Sequence, residues 1–411
     1  LYYISRMENI VRSEYLEKLW VLRDRNLIKV LTGVRRSGKS TIMLQLQKRL
    51  LTENPDTATV SVNFDIPEYR FLAEKSWKEV YDFIERMLKP NRTNYVFLDE
   101  VQNVNQFEKL LEGLFVHPQI DLYVTGSNAY LLSSELATLL TGRAFEINVL
   151  PFSLAEYIEL TGSKTNLQKA YIDYIQSGGY PEAVKLANAG TIYSNQYVQS
   201  VFQNIYQNDI QKRHKIYHEE AYMRVVNFLI DSVGSSVSAT NIAKVLSAGG
   251  KKITNKSISA YINTLVESYL FYKVNRYDIK GKQYLRTQEK YYMVDLGLRN
   301  ALLGKNLSTD KGHLLENVVF LELIRRNNQV WIGKVDNLEV DFVVRTPEGY
   351  TQYIQVAQTI LHSETLAREL LPFDKIPDHH EKIIITNDYE TGTYDGIKQV
   401  NSIEWLLEKQ T

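Results

Sequence analysis

The residues with the clearest chemical capacity form one run, Gly33-Val34-Arg35-Arg36-Ser37-Gly38-Lys39-Ser40. Two glycines at this spacing, followed by Lys and Ser, make the pattern of a phosphate-binding loop. The glycines permit a tight turn in which successive backbone N–H groups converge on phosphate oxygens. Lys39 supplies a cation for the β- and γ-phosphates, and Ser40 a hydroxyl for Mg²⁺. A helix starting at Lys39, with Thr41 in its first turn, would present its N-terminal dipole to the same anion. Residues Gly33 to Thr41 are therefore assigned to ATP. Downstream, the apolar run Tyr95–Leu98 ends in Asp99-Glu100. Asp99 is the expected Mg²⁺ ligand, mostly through water, and Glu100 the general base for the attacking water. Acids after a strand are commonly just a solvated turn. The phosphate loop upstream favours the catalytic reading, and the base argues against a small-molecule kinase, which needs an acceptor pocket instead.

Two further positions carry weaker signals. Ser127 and Asn128 close the next strand, where a polar side chain would contact the γ-phosphate or orient water; a plain turn is the alternative. Ser127 is assigned to the nucleotide and Asn128 to catalysis. Arg143 follows Gly142 shortly before another strand and is assigned as a charge-stabilising finger or sensor, against the alternative of a surface arginine.

These residues need a scaffold. Leu27–Thr32, Val60–Phe64, Tyr95–Leu98, Asp121–Thr125 and Phe145–Leu150 read as strands, and Lys39–Leu51, Trp77–Leu88 and Phe107–Phe115 as helices. Strands alternating with helices predict a parallel sheet covered on both faces. After Pro151 the periodicity turns helical to about Arg213, interrupted by Ser177-Gly178-Gly179-Tyr180-Pro181. Asn241–Leu246 and Lys256–Leu270, separated by Gly249-Gly250, follow helix-turn-helix order, and Phe271–Tyr277 reads as a wing-like strand. The second helix would enter a major groove, with Lys251, Lys252, Lys256 and Arg276 on phosphates. Many such modules bind protein or pack within their own chain instead.

The stretches GVRRSGKS, YVFLDEVQNV and YVTGSNAYLLSSELATLLTGRAFEINVLPFSLAEY resemble bacterial and archaeal AAA-type (AAA+) P-loop ATPases with a C-terminal domain of unknown function, the 4143 domain. The likeness continues through SGGYPEA, MVDLGLRNALL, HLLENVVFLELIRR and EVDFVV, nearly the whole chain. It implies an α/β fold in parts: an AAA-type ATPase core over residues 1–152, a helical segment over 153–217, a winged helix over 218–300, and a restriction-endonuclease-like α/β domain over 301–411. Nucleases of that kind need an acid on a helix, an Asp, then an acid-x-Lys on the neighbouring strand, to bind Mg²⁺ and activate water. Glu316 and Asp341 match. Gln355 stands where the acid belongs and Ala357 where the Lys belongs, with only Lys334 conceivable as a substitute, so the site reads as a vestigial, inactive nuclease. His313, His362, His379 and His380 lack metal-ligand spacing.

Composition sets the outer limits. The chain has 411 residues, 48 Lys+Arg against 48 Asp+Glu, and no Cys. Net charge therefore carries no information about nucleic acid, and disulfides and thiolate metal sites are ruled out. The lack of Cys fits a reducing cytoplasm, the expected location. There is no apolar run of about 18 residues, so no membrane partner is expected. Leu1 to Arg6 lack a signal-peptide pattern, with Met7 the expected start. Three readings follow: an Mg²⁺-dependent ATPase acting as a switch or motor on DNA; an ATP-tuned module that binds nucleic acid, protein or a second copy of itself with little turnover; and, disfavoured by Gln355 and Ala357, an ATP-dependent nuclease.

Overall fold

The run Ile28–Thr32 is buried at every position. A strand meets that condition when it has a neighbour on each edge and helices over both faces. In the computed structural model, which describes residues 10–127, 129, 142–247, 253–304 and 311–408, this run is β1. It pairs in parallel with β4 (Ile120–Thr125) and β5 (Ala144–Asn148). β2 (Ala58–Asn63) and β3 (Asn94–Asp99) complete a five-stranded sheet in the order β2-β3-β4-β1-β5. Because all five run in parallel, the C-terminal ends of β3, β4 and β1 share one edge. Asp99, Thr125 and Thr32 are the last residues of those strands, so topology alone gathers the acids and the phosphate loop there.

Each face carries its own apolar core. On one side α1 (Ser13–Val21) and α2 (Lys39–Glu53) place Leu16, Leu19, Ile42 and Leu46 against Leu31 and Phe97. On the other, α3 (Pro67–Ala73), α4 (Trp77–Glu85) and α5 (Phe107–Phe115) place Leu72, Val80, Ile84, Leu110 and Leu114 against Val60, Val96 and Val124. Ser76 and Glu79 form a capping box that starts α4, satisfying two of its otherwise unpaired N–H groups. A buried ion pair interrupts this apolar interior. Lys29, fully enclosed on β1, donates to Asp121 on β4, and the Tyr123 hydroxyl donates to the other oxygen of Asp121 at 2.9 Å. An ion pair excluded from water is tolerated when both partners are hydrogen-bonded.

The chain divides into two compact units, residues 1–149 with 267–269 and residues 150–266 with 270–411. The second is built on a nine-stranded sheet in the order β13-β14-β12-β11-β10-β9-β7-β8-β6. Its strands are β6 (Ser236–Val237), β7 (Phe271–Asp278), β8 (Gln283–Met293), β9 (Gln329–Val335), β10 (Leu338–Arg345), β11 (Thr351–Ala357), β12 (Glu381–Thr386), β13 (Thr393–Tyr394) and β14 (Ile397–Asn401). The wing-like strand anticipated at Phe271–Tyr277 is β7, in a hairpin with β8 that joins the C-terminal strands through parallel pairing of β7 with β9. Helices Asn255–Glu267 and Ala239–Ser247 precede this hairpin; Lys251 and Lys252 lie outside the described residues. Among the described residues no helix is long and apolar enough to cross a membrane.

The two sequence signatures SGGYPEA and MVDLGLRNALL meet in the second unit. Asp295 caps the helix Leu296–Leu303 by accepting from Leu298 N at 2.8 Å, and accepts from Gly179 N at 2.6 Å. Burial pushes the Asp295 carboxyl up to about 6, although backbone N–H groups, foremost that of Gly179, pull the other way. The approach is so close that glycine is required: a Cβ on Gly297 would lie 2.0 Å from the Ser177 carbonyl oxygen. Gly297→Ala is therefore expected to destabilise the fold by roughly 3 kcal/mol, the upper range for overpacking a filled interior. A thermal melt checks it, and a wild-type midpoint would show that the two segments can separate freely.

Candidate functional site

The turn from β1 into α2 is shaped by its glycines. Gly33 has φ +127°, and a Cβ there would sit 2.3 Å from the Val149 carbonyl oxygen. Gly38, at φ +103°, is the N-cap of α2. Arg36 also adopts a left-handed φ of 65°, a conformation that costs a side-chain-bearing residue free energy and that clusters at ligand-binding loops. Val34 and Ser37 are buried, Arg35 and Thr41 are half-buried, and Arg36 and Ser40 are exposed. The Lys39 ammonium folds back over the loop, donating to Gly33 O at 2.8 Å and Val34 O at 3.0 Å. One cation at the loop had no signal in the sequence: Arg12, ahead of α1, is buried and donates from Nη1 to Ser37 O at 2.9 Å. A single arginine before an amphipathic helix is indistinguishable from a surface residue until the helix is packed on α2.

Asp99 and Glu100 stand at the end of β3, both buried. Asp99 Oδ2 accepts from Asn63 Nδ2 at 2.7 Å, and its Oδ1 accepts from the Thr125 hydroxyl. The Ser40 hydroxyl, like that of Thr125, works to favour the charged form of Asp99. Burial and the charge of Glu100 raise the Asp99 carboxyl above its ordinary value. Glu100 has a left-handed φ of 55° and opens a short 3-10 turn, Val101–Asn103. Its N–H donates to Thr125 Oγ1 at 2.9 Å. Its carboxylate accepts from the Ser127 hydroxyl at 3.0 Å and from Gln102 Nε2. Burial works to raise Glu100, but the charges of Lys39 and Arg35 and the hydrogen bonds from Gln102 and Ser127 outweigh it, leaving the group below the usual carboxylate range. Low proton affinity and proximity to fixed cations keep Glu100 ionised at neutral pH.

The structure thus brings together the loop, Asp99, Glu100 and Ser127. Asn128 lies outside the described residues. Arg143 is not brought to this edge. Its carbonyl accepts from Ile28 N at 2.7 Å, at the start of β1, and its guanidinium lies 5.8 Å from the centre of the Phe115 ring. The phosphate loop leaves the other end of β1, and four residue steps at roughly 3.3 Å exceed the reach of an arginine. Within one chain, Arg143 cannot serve the nucleotide bound at its own loop.

A second polar cluster lies in the second unit. Glu316, on the helix Lys311–Arg325, and Asp341, on β10, converge there. The cation between them is one that sequence reasoning missed. Lys290, from β8, is 4 % exposed and donates to Glu316 Oε1 at 2.8 Å; it also lies 2.8 Å from Glu339 Oε1 and 3.9 Å from Asp341 Oδ1. Tyr292 donates to Glu316 Oε1 at 2.6 Å. Lys334, the substitute considered from sequence, instead sits 4.0 Å from Asp278. Gln355 accepts from Asp341 N at 2.7 Å and donates to a further carboxylate, Glu369 Oε2, at 3.1 Å. Ala357 is packed in an apolar cluster with Tyr353 and Ile384. Burial, then repulsion from Glu316, pushes Asp341 up to about 8. Burial opposes ionisation of Glu316 too, but Lys290 overrides it and holds Glu316 low. Among the described residues no group of three or more His, Cys, Asp and Glu is arranged to hold a metal ion.

Comparison with known proteins bears on the first unit as a domain. A family model for an AAA domain matches residues 25–158, and a domain of unknown function matches residues 168–309. With the phosphate loop and the parallel sheet, this makes the first unit an AAA-type P-loop ATPase core. An uncharacterised protein of Haemophilus influenzae is 36% identical over 408 residues, covering 97% of this chain and 99% of that protein. The chain belongs to the family of that protein. An uncharacterised protein of Methanocaldococcus jannaschii is 28% identical over 408 residues, covering 93% of this chain and 88% of that one. Among solved structures, the Walker-type ATPase PABY2304 of Pyrococcus abyssi aligns with a TM-score of 0.48 and 17% identity, over 72% of this chain and 97% of that one.

The acid cluster around Lys290 generates a stability prediction. Lys290→Met would remove the buried ammonium that Glu316, Glu339 and Asp341 share, at a cost of roughly 3–5 kcal/mol. Adding Glu316→Leu to that variant should recover part of the loss, since the largest uncompensated charge is then gone. Urea melts of the single and double variants measure both steps; a single variant as stable as wild type would mean Lys290 is not the clamp.

Proposed function

We propose that this chain is a Mg²⁺-dependent ATP hydrolase working as a nucleotide-driven switch. The observation that carries the reading is the convergence of the Lys39 ammonium, Asp99 and Glu100 on one edge of the parallel sheet. Backbone N–H groups of Gly33 to Lys39 and the start of α2 would hold the β- and γ-phosphates. Lys39 would exchange its two loop carbonyls for phosphate oxygens, a stronger partner for an ammonium. The Ser40 hydroxyl favours the charged form of Asp99, and a hydroxyl beside a carboxylate suits a hard divalent cation. Mg²⁺, when bound there, supplies charge neutralisation for the transferring phosphoryl group. Glu100, ionised and near the γ-phosphate position, would take the proton of the attacking water.

Two substitutions separate binding from chemistry. Lys39→Ala should greatly weaken ATP binding in a titration with a fluorescent nucleotide. Glu100→Gln should bind ATP as wild type does while turnover falls ~10²-fold or more, the range for loss of a general base. Normal turnover in Glu100→Gln would remove Glu100 from the mechanism. Running the same assay with and without duplex DNA reads the partner class. An arginine-finger role for Arg143 requires a second copy of the chain to supply it, and fits a homo-oligomer.

The cluster of Glu316, Asp341 and Gln355 is read as a vestigial nuclease centre turned into a strut. What favours this is Lys290, whose ammonium contacts both Glu316 and Glu339 and so already neutralises the charge that a divalent ion would. Neither duplex nor single-stranded DNA should be cleaved in Mg²⁺ or Mn²⁺. A wild-type nicking activity that disappears in Asp341→Ala would overturn this reading.

A further inference from the structure

The 3-10 turn after Glu100 holds a side chain with no assigned role. Val101, fully buried, anchors the turn in the apolar core. The turn then carries Gln102 back across Glu100. Gln102 Nε2 donates to Glu100 Oε2 and lies 3.3 Å from Ser127 Oγ. The Ser127 hydroxyl donates its own hydrogen to the same Glu100 Oε2. Both donors therefore fall on one carboxylate oxygen.

The amide's orientation follows from this arrangement. A glutamine flipped end for end would set its carbonyl oxygen against the Glu100 carboxylate, an acceptor facing an anion. With Nε2 toward Glu100, the carbonyl oxygen is buried and accepts no hydrogen bond among the described residues. An unmet buried acceptor is costly and uncommon. It persists here because the other end of the amide is committed to the base.

We propose that Gln102 is a positioning residue for ATP hydrolysis, orienting the Glu100 carboxylate by binding Oε2 so that Oε1 is the oxygen that receives the proton. The inference rests on Glu100 being the base. In the step itself, the water oxygen bonds to the γ-phosphorus as the bond from that phosphorus to the β–γ bridging oxygen breaks. ADP leaves with the electron pair, and the water's proton passes to Glu100 Oε1. A carboxylate turns freely about its last bond, and each oxygen must then compete for the proton. Two donors on Oε2 lower its basicity and fix the plane, the relation of base to orienter that active sites commonly show. Thr125 fixes the backbone of the same residue, so main chain and side chain are held independently.

The test is steady-state ATP hydrolysis by the full chain carrying Gln102→Met or Gln102→Glu, with nucleotide affinity and thermal midpoint measured in parallel. Gln102→Met keeps length and loses the donor. Turnover should fall roughly 10-fold, less than the ~10²-fold or more for loss of the base, with KM and affinity for ATP within about twofold of wild type. Gln102→Glu keeps the shape but replaces the donor with a carboxylate against Glu100, so it should be slower than Gln102→Met. If Gln102 only filled space, the isosteric Gln102→Glu would be the milder change, and that order would overturn the proposal. Gln102→Met turning over at or above the wild-type rate would overturn it as well, as would a loss of ATP affinity equal to the loss of turnover. A variant that failed to fold would show Gln102 to be structural and would count against it. Glu100→Gln run alongside separates the two claims: normal turnover there removes the base itself, whereas a slow Glu100→Gln beside a fast Gln102→Met removes only the orienter.

Discussion

One hydroxyl, that of Thr125, sets the geometry on which the nucleotide edge depends. It accepts from the Glu100 backbone and donates to the Asp99 carboxylate, so the last residue of β4 ties down both acids at the end of β3. A hydroxyl can do this because it is donor and acceptor at once, and it can do so only if β3 and β4 stay in register. That register comes from the parallel pairing of Asn94–Leu98 with Ile120–Val124, itself enforced by strands that are apolar on both faces. The chain of cause runs from a buried strand pair to a fixed hydroxyl, and from there to a carboxylate held beside the phosphate loop.

Two buried sites use one combination of charges to different ends. In the first unit Lys39 is near Asp99 and Glu100, yet its ammonium is held by the carbonyls of Gly33 and Val34. Its charge favours the ionised form of both acids. In the second unit Lys290 is bonded directly to Glu316 and sits against Glu339, and its charge is consumed there. The difference is legible in the neighbours: neutral carbonyls can release an ammonium to a phosphate, whereas a carboxylate in a dry interior cannot be left behind without a large penalty.

Much of the first unit was readable in the sequence because its signals are local. The loop spacing from Gly33 to Ser40, the apolar run into Asp99-Glu100 and the alternation of strand and helix all act over a few residues, and their elements lie where expected to within three residues, the helix expected over Trp77–Leu88 ending at Glu85. The helices Ser13–Val21 and Pro67–Ala73 went unread; the second begins at a proline that resembles a loop. Arg12, Asn63, Thr125 and Gln102 escaped notice because their importance depends on what a distant strand or helix brings beside them. Arg143 was assigned from its place before a strand; in a parallel sheet that place lies at the edge away from the chain's own loop, which leaves the finger role to a second copy of the chain. In the second unit, Lys290 was invisible because it reaches Glu316 and Asp341 from another part of the chain.

The persistence of that last cluster has a physical explanation beyond stability. Apolar residues of similar volume would hold the helix Lys311–Arg325 against β8 and β10 as well or better, since burying ions costs more than their attraction returns unless the geometry is very good. An apolar patch, however, would tolerate sliding. In β8, successive residues face opposite sides, so Lys290 and Tyr292 share a face and both reach Glu316 Oε1. A slip of one residue would put Tyr291 and Met293 there, taking away the ammonium that neutralises the buried Glu316. Asn317, next on the helix, repeats the constraint by bonding both the N–H and the carbonyl of Met293 at 2.8 and 2.9 Å. These contacts admit one register of the hairpin on the helix. The charges that look like the remains of a metal centre therefore specify how the middle of the chain docks on its C-terminal strands.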